Sequence, residues 1–434
     1  LGHDSQNATR LYRPALVATR LHRLKTPDPH AGVWHRPGFL AYLQSTAFSG
    51  MAFSMQQLLV SWLLIGVLLL PADNVGLLQA LMGLPGIFLM LWGGASADRR
   101  DPRGLLVGVY AITPLCPVFL IAMDQSMGIA IWSVVLWGLG MSVAMSFSTP
   151  AQQAILSRVS GNAIQQGVSA STAAAFLVQI TGIVLAGQME HIGLTTVLGV
   201  QALCLGLSAL MIRRIDAWSP GVGAPHGSQT RNILEGFRAT YGNRTIFNVL
   251  VINFISSIFN AGAFMTVLPF IVKRIYDGDA AVLATMMAVF FAGATMANVL
   301  MYRLMPFTRP GRLYLMMQLS RIAILFVLWI EPSWPVFLAA IVAWGINMGF
   351  TTTLARTIVQ ETAEEAFRAR ILSVFTLGMM GSAPIGAIVL GFIIETFGTL
   401  PALIPAMGVS LALCILGIWK TNIWSYRSPV ALPG

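Results

Sequence analysis

Charged side chains are scarce in this 434-residue chain, so each one that interrupts an apolar run is a candidate for chemistry. The densest group is Gly94-Ala-Ser-Ala-Asp98-Arg99-Arg100-Asp101-Pro102-Arg103, a charged turn between two apolar stretches each long enough to cross a bilayer. A carboxylate beside guanidinium groups makes and breaks charge-assisted hydrogen bonds, which is the chemistry of a latch. Arg321 stands well inside another apolar run, where a charge is expensive. Uncharged polar and aromatic residues also recur at helical spacing: Ser45, Ser49, Phe53 and Gln56; Trp137, Met141, Met145 and Ser148; Asn253, Ser257, Asn260 and Phe264; Trp344, Asn347 and Thr351. Polar groups within a membrane tend to face the bundle interior, so these stripes are candidates to bind a solute. The competing reading for each is ordinary helix–helix hydrogen bonding or packing.

Other chemistries lack their residues. There is no phosphate-cradling G-x-x-x-x-G-K-[ST] loop, no His/Cys cluster with metal-ligand spacing and no nucleophile–base pair. The sequence therefore predicts neither an enzyme nor a bound metal or cofactor. Cys116, Cys204 and Cys414 lie in separate apolar runs and read as packing residues.

The elements that must position the stripes follow from composition. Apolar residues make up 56% of the chain and charged residues 10%, far below the roughly 25% of a soluble domain. About 20 apolar residues are needed per membrane helix, and the long unbroken runs exclude a β-barrel, whose strands alternate. Breakers and charges divide the chain into about twelve spans, so the expected fold class is an all-α membrane protein. The net charge of +10 marks loops rather than a nucleic-acid surface. With both termini inside the cell, 23 of the 26 Lys and Arg residues fall on the inner side, which predicts a multi-pass protein of the inner (plasma) membrane with cytoplasmic termini.

Residues 214–245 form the only long polar segment between spans. They divide the chain into a basic tail (1–38), six spans (39–213), a central loop with a short amphipathic helix, six more spans (246–420) and a C-terminal tail (421–434). The halves repeat: Phe147, Gly182, Gly187, Glu190 and Gly193 can be laid on Phe350, Gly386, Gly391, Glu395 and Gly398. Two six-span halves related by an axis along the membrane normal place a substrate near the midplane between them.

These segments resemble the major facilitator superfamily. The turn at Gly94, Asp98, Arg99 and Arg103 is similar to its loop 2–3 signature G-x-x-x-D-R-x-x-x-R. Within that superfamily, Ser54-Met-Gln-Gln-Leu-Leu-Val-Ser-Trp62, Pro150-Ala-Gln-Gln-Ala154, Glu235-Gly-Phe-Arg238 and Glu364-Glu-Ala-Phe-Arg368-Ala-Arg370 through Pro384-Ile-Gly386 resemble the transmembrane secretion effector branch, which includes enterobactin-exporter-like proteins. The chain departs from the branch at three places. Phe53 stands near where many members carry an acid, span four has no arginine, and Gly182-Ile-Val-Leu-Ala-Gly187 lacks the proline of the G-P-x-x-A-G pattern.

The resemblance implies a secondary active transporter working by alternating access, with Asp98 facing the start of span eleven near Arg368 or Arg370 when the inner side is closed. It also implies that spans one, four, seven and ten line the pathway. The expected cavity residues are Ser49, Phe53, Gln56, Met141, Met145, Asn253, Ser257, Asn260, Trp344, Asn347 and Thr351. Export of a small amphipathic compound, siderophore- or drug-like, is the leading expectation. An importer or facilitator is the alternative, and a transport-dead sensor or scaffold the alternative of another class. The expected partners are a small-molecule substrate and the lipid bilayer, with the chain a monomer and no nucleic acid. No acidic residue falls mid-span, so protons, if they couple, would exchange at Asp98, Glu190 or Glu395. For the same reason neutral, zwitterionic or anionic substrates are expected over permanent cations. Arg321 is expected to snorkel to the inner surface.

Overall fold

The computed structural model describes residues 33–36, 38–99, 101–216, 229–365 and 367–429. Among the described residues the regular secondary structure is helical throughout, and eleven helices are long and apolar enough to cross a membrane. They are α1 (Phe39–Val67), α2 (Ala72–Arg99), α3 (Pro102–Ser126), α4 (Ile131–Ser160), α5 (Ile164–Gly187), α6 (Leu194–Ile212), α7 (Arg244–Arg274), α8 (Ala280–Leu304), α9 (Pro310–Trp329), α10 (Trp334–Thr362) and α11 (Arg368–Phe397). A twelfth apolar helix, α12 (Leu403–Trp419), has 17 residues. The protein is a multi-pass membrane protein. In hydrocarbon every backbone group must be bonded within its own segment, so long apolar runs have little choice but helix.

Punctuation residues set the starts. Asp101 caps α3, accepting from the Arg103 amide at 3.1 Å, with Pro102 as the first helical residue. Asn243 caps α7 and Asp279 caps α8 in the same way. Between α6 and α7, the helix Gln229–Gly242 lies against the start of α11, so closely that a Cβ on Gly236 would stand 2.7 Å from the Arg370 carbonyl oxygen.

α1–α6 pack chiefly on one another, as do α7–α12, and the two sets meet where α2 packs on α11 and α5 on α8. The repeated glycines make these contacts. A Cβ on Gly182 would sit 2.6 Å from a backbone oxygen of α1, and one on Gly386 2.0 Å from a backbone oxygen of α7. A Cβ on Gly187 would sit 2.3 Å from Ala284 of α8, and one on Gly391 2.4 Å from the Ala72 oxygen of α2. The same device thus recurs in both halves: one glycine seats a helix within its half, and another seats it against the other half. A five-residue π-helical segment also occurs in the corresponding helix of each half, at Leu63–Val67 of α1 and Ala263–Val267 of α7.

Candidate transport pathway

A cavity of about 610 Å³ lies between the halves. α1 contributes Gly50, Phe53, Ser54, Gln57 and Ser61, residues three or four apart on one helical face, together with Gln56. α4 contributes Ser142, Met145, Thr149 and Gln152 at the same spacing, and α2 contributes Gln79, Met82, Gly83 and Gly86. α5 adds Gln179. The opposite wall is Met265 of α7 with Met380, Ala383, Pro384 and Ala387 of α11. One wall therefore offers amides and hydroxyls, and the other methyl, methylene and thioether groups. No charged residue lines the cavity among the described residues.

Several wall groups are already engaged. Gln152 donates through Nε2 to Tyr110 Oη at 2.6 Å and to Ser49 Oγ at 3.1 Å. Gln56 donates to the Gly138 carbonyl at 3.3 Å. Gln79 closes one end of the cavity by joining the halves: its Nε2 donates to the Met265 carbonyl and its Oε1 accepts from Thr266 Oγ1 at 2.9 Å. By contrast, Gln57 and Gln179 are only partly buried and make no hydrogen bond within the described protein. Their amides are free to bond a solute.

Beyond Gln79, towards the α1–α2 turn, the halves are sealed. Glu190 Oε1 accepts from Trp62 Nε1 at 2.8 Å and, across the interface, from the Ala280 amide at the start of α8 at 3.4 Å. Glu395 Oε2 accepts, also across the interface, from the Ala72 amide at the start of α2 at 3.0 Å, with Arg274 Nη2 3.7 Å away. Each half thus lends a carboxylate to a helix N-terminus of the other, where the exposed amides and the helix dipole favour negative charge. Lys273 lies over the Trp62 ring at 5.5 Å.

Of the residues that the sequence places on candidate cavity stripes, Phe53, Gln56, Met145 and Ser148 line it. Ser49 and Met141 are fully buried within the first half. The nominated residues of α7 and α10 are elsewhere. Asn253 is buried, and Ser257 is partly buried away from the cavity. Asn260 accepts from Trp344 Nε1 at 2.6 Å, and the Trp344 ring packs in a cluster with Phe264, Phe290 and Phe291.

Asn347 and Thr351 surround Arg321. Arg321 does not snorkel: it is 3% exposed. At 1.5 Å per residue it stands roughly 16 Å along α9 from Pro310, beyond the reach of its side chain to that end. Its Nε donates to Asn347 Oδ1 at 3.2 Å, its Nη1 to Gln318 Oε1 at 3.2 Å and to Ser256 Oγ, and its Nη2 to Thr351 Oγ1 at 3.5 Å. Asn347 is held with its oxygen towards the guanidinium because its Nδ2 donates to the Met317 carbonyl and to Ser320 Oγ. Arg321 has no carboxylate partner among the described residues, so neutral oxygens from three helices solvate the charge.

At the end of the bundle opposite Glu190 and Glu395, Gly94, Asp98 and Arg99 fall on the last turns of α2, with side chains outside the described ones. Arg103 donates through Nη2 to the Arg213 carbonyl at 2.7 Å, tying α3 to the end of α6. Arg370 pairs with Glu235 at 2.9 Å, and Arg368 is exposed at the start of α11.

The model of the transmembrane secretion effector family matches residues 37–427. The chain belongs to that family, a branch of the major facilitator superfamily. Solved structures agree on the fold. The nucleoside transporter NupG superposes with a TM-score of 0.73 at 13% identity, covering 90% of this chain and 99% of its own. A bacterial homolog of the human lysosomal transporter Spinster, inward-facing and unoccupied, gives 0.65 at 14% identity over 89% and 95%. A D-xylose-proton symporter gives 0.65 at 10% identity over 88% and 97%. No curated protein matches the chain. The protein is thus a transporter of the major facilitator fold.

Proposed function

We propose that the protein exports a small, uncharged, amphipathic organic compound by alternating access, without itself being an enzyme. The observation that carries the substrate class is the two-faced, charge-free cavity. Gln57 and Gln179 offer donors and acceptors on one wall, and Met265, Met380 and Pro384 offer an apolar surface on the other. A permanent cation would find no carboxylate there to repay its lost hydration. The cavity volume of about 610 Å³ lies within the range of small-molecule sites.

The Glu190 and Glu395 end is the outer side on the positive-inside reading, so this form is closed outside, with the two carboxylate caps as its latch. Breaking the caps while Asp98 engages the start of α11, near Arg368 and Arg370, would exchange access between the two sides. Glu190, Glu395 and Asp98 are accordingly the groups through which protons would bias the exchange, if protons drive it. The test is accumulation of matched neutral and cationic amphipathic compounds in cells with and without the gene, followed in vesicles with and without a pH gradient. Lower accumulation of the neutral compound in expressing cells is expected. Higher accumulation would make the protein an importer, and gradient-driven efflux of the cation alone would overturn the substrate class.

A further inference from the structure

A second concavity lies on the lipid-facing side of the first half, between α3 and α6, with a volume of about 440 Å³. A continuous stripe runs along its α6 edge, flanked by Ala202, Leu207 and Ala209. Leu203, Gly206 and Leu210 follow one another at spacings of three and four residues, and Arg213 continues the same stripe at the helix end. A Cβ on Gly206 would meet nothing within 4 Å, nor, beyond the groove lining, would one on Gly199 two turns back or on Gly108 of the facing helix. The glycines therefore hollow the surface rather than seat another helix. Ala111 and Pro114 form the α3 edge, and the buried Tyr110 ring forms the floor.

Charge gathers at one end of this groove. Arg213 and Arg214 are exposed, and neither has a carboxylate within ion-pair distance among the described residues. Arg103 is fixed beside them by its bond to the Arg213 carbonyl, and its Nε is buried without a hydrogen-bond partner. An apolar slot that faces lipid and ends in guanidinium groups without a carboxylate partner among the described residues has the chemistry of a phospholipid: a chain for the slot and a phosphate for the arginines. We infer that the α3–α6 groove is a binding site for an anionic glycerophospholipid, its headgroup phosphate at Arg103 and Arg213 and one acyl chain along Leu203, Gly206 and Leu210.

The floor gives this site a route to transport. Tyr110 Oη accepts from Gln152, whose side chain lines the central cavity. One tyrosine ring therefore separates the seated chain from the pathway.

Native mass spectrometry of the full-length protein, titrated with phosphatidylglycerol and with phosphatidylcholine of identical chains, tests the site. One phosphatidylglycerol is expected to bind in preference to phosphatidylcholine. Arg213→Gln should weaken phosphatidylglycerol about fivefold, the size of one juxtamembrane charge, and phosphatidylcholine, whose choline offsets the phosphate charge, by less. Gly206→Leu fills open space rather than a packed contact, so the fold tolerates it and binding of both lipids should fall; an unchanged melting temperature checks that reading. Equal affinity for the two lipids in the unsubstituted protein would overturn the inference. So would unaltered phosphatidylglycerol binding in both variants, or binding of chain-free glycerophosphate as tight as that of the lipid.

Discussion

The two halves share a fold and a set of glycine contacts, yet they use their polar residues differently. In α1, α2, α4 and α5, glutamine, serine and threonine side chains turn towards an open cavity, and two of the amides have no hydrogen-bond partner among the described residues. In α7, α9 and α10, asparagine, serine, threonine and glutamine side chains converge on the guanidinium of Arg321, and the aromatic cluster of Phe264, Phe290, Phe291 and Trp344 fills the space beside them. One buried charge accounts for the contrast. Every oxygen recruited to solvate Arg321 is withdrawn from a solute, so the second half presents its apolar α7–α11 surface to the cavity instead. Pseudo-symmetric helices need not make a pseudo-symmetric site, because a single side chain can commit the polar groups of three helices.

The largest effect should come from removing that charge. Arg321→Ala orphans the buried Asn347 Oδ1 at about 1–3 kcal/mol, leaves Gln318 Oε1 with Ser256 Oγ as its donor, and leaves Thr351 Oγ1 with only its bond to the Asn347 carbonyl. We expect the protein to lose most of its folded yield and its thermal stability in detergent. Normal stability combined with loss of transport would mean that Arg321 meets the substrate, and the contrast between the halves would fail. Next in size is Gly391→Leu, whose Cβ would lie 2.4 Å from the Ala72 oxygen. It should fold, because the contact is between halves and not within one, but it should not close at the Glu395 end. Spin–spin distances between α2 and α11 would lengthen at that end; distances like those of the unsubstituted protein would show that the glycine is not what permits closure. The smallest effect should be that of Gln57→Leu, which removes one hydrogen bond to a solute. At about 1–1.5 kcal/mol the apparent KM should rise roughly tenfold at unchanged expression. Asn260→Leu in the second half should leave KM unchanged, and an equal rise in both variants would erase the distinction between the walls.

Much of the fold was legible in the sequence, because hydrocarbon demands long apolar helices and the loop charges and glycines punctuate them. The repeat built on Gly187, Glu190, Gly391 and Glu395 was visible as spacing, and these residues share one sealed end. The cavity was less legible. Periodicity identifies a polar stripe without saying what faces it, so Asn347 and Thr351 read equally well as lining residues and as ligands of Arg321. A one-residue error matters too. On α4 the expected stripe and the cavity face share Met145 and Ser148, but Trp137 and Met141 are buried in the first half while Ser142, one residue on from Met141, meets the cavity. Gln79 and Gln179 were missed because each stands among apolar neighbours, and Gln152 because it was read only as part of the Pro150–Ala154 motif. Only contact with α7, with Tyr110 or with the cavity itself gives them a role.

The constellation around Arg321 also bears on the order of events during synthesis. An arginine at the middle of a lone helix costs about 2.5–3.5 kcal/mol on membrane insertion. Ser256 on α7 and Gln318 on α9 are already made when α9 leaves the ribosome, but Asn347 and Thr351 arrive only with α10. We therefore expect α9 to be a reluctant insert until its successor emerges, so that two helices enter the bilayer as one cooperative unit. Glycosylation mapping of nascent chains truncated after Pro332 and after Glu365 would time the event. Full insertion of α9 in the shorter chain would show that it does not need its neighbour.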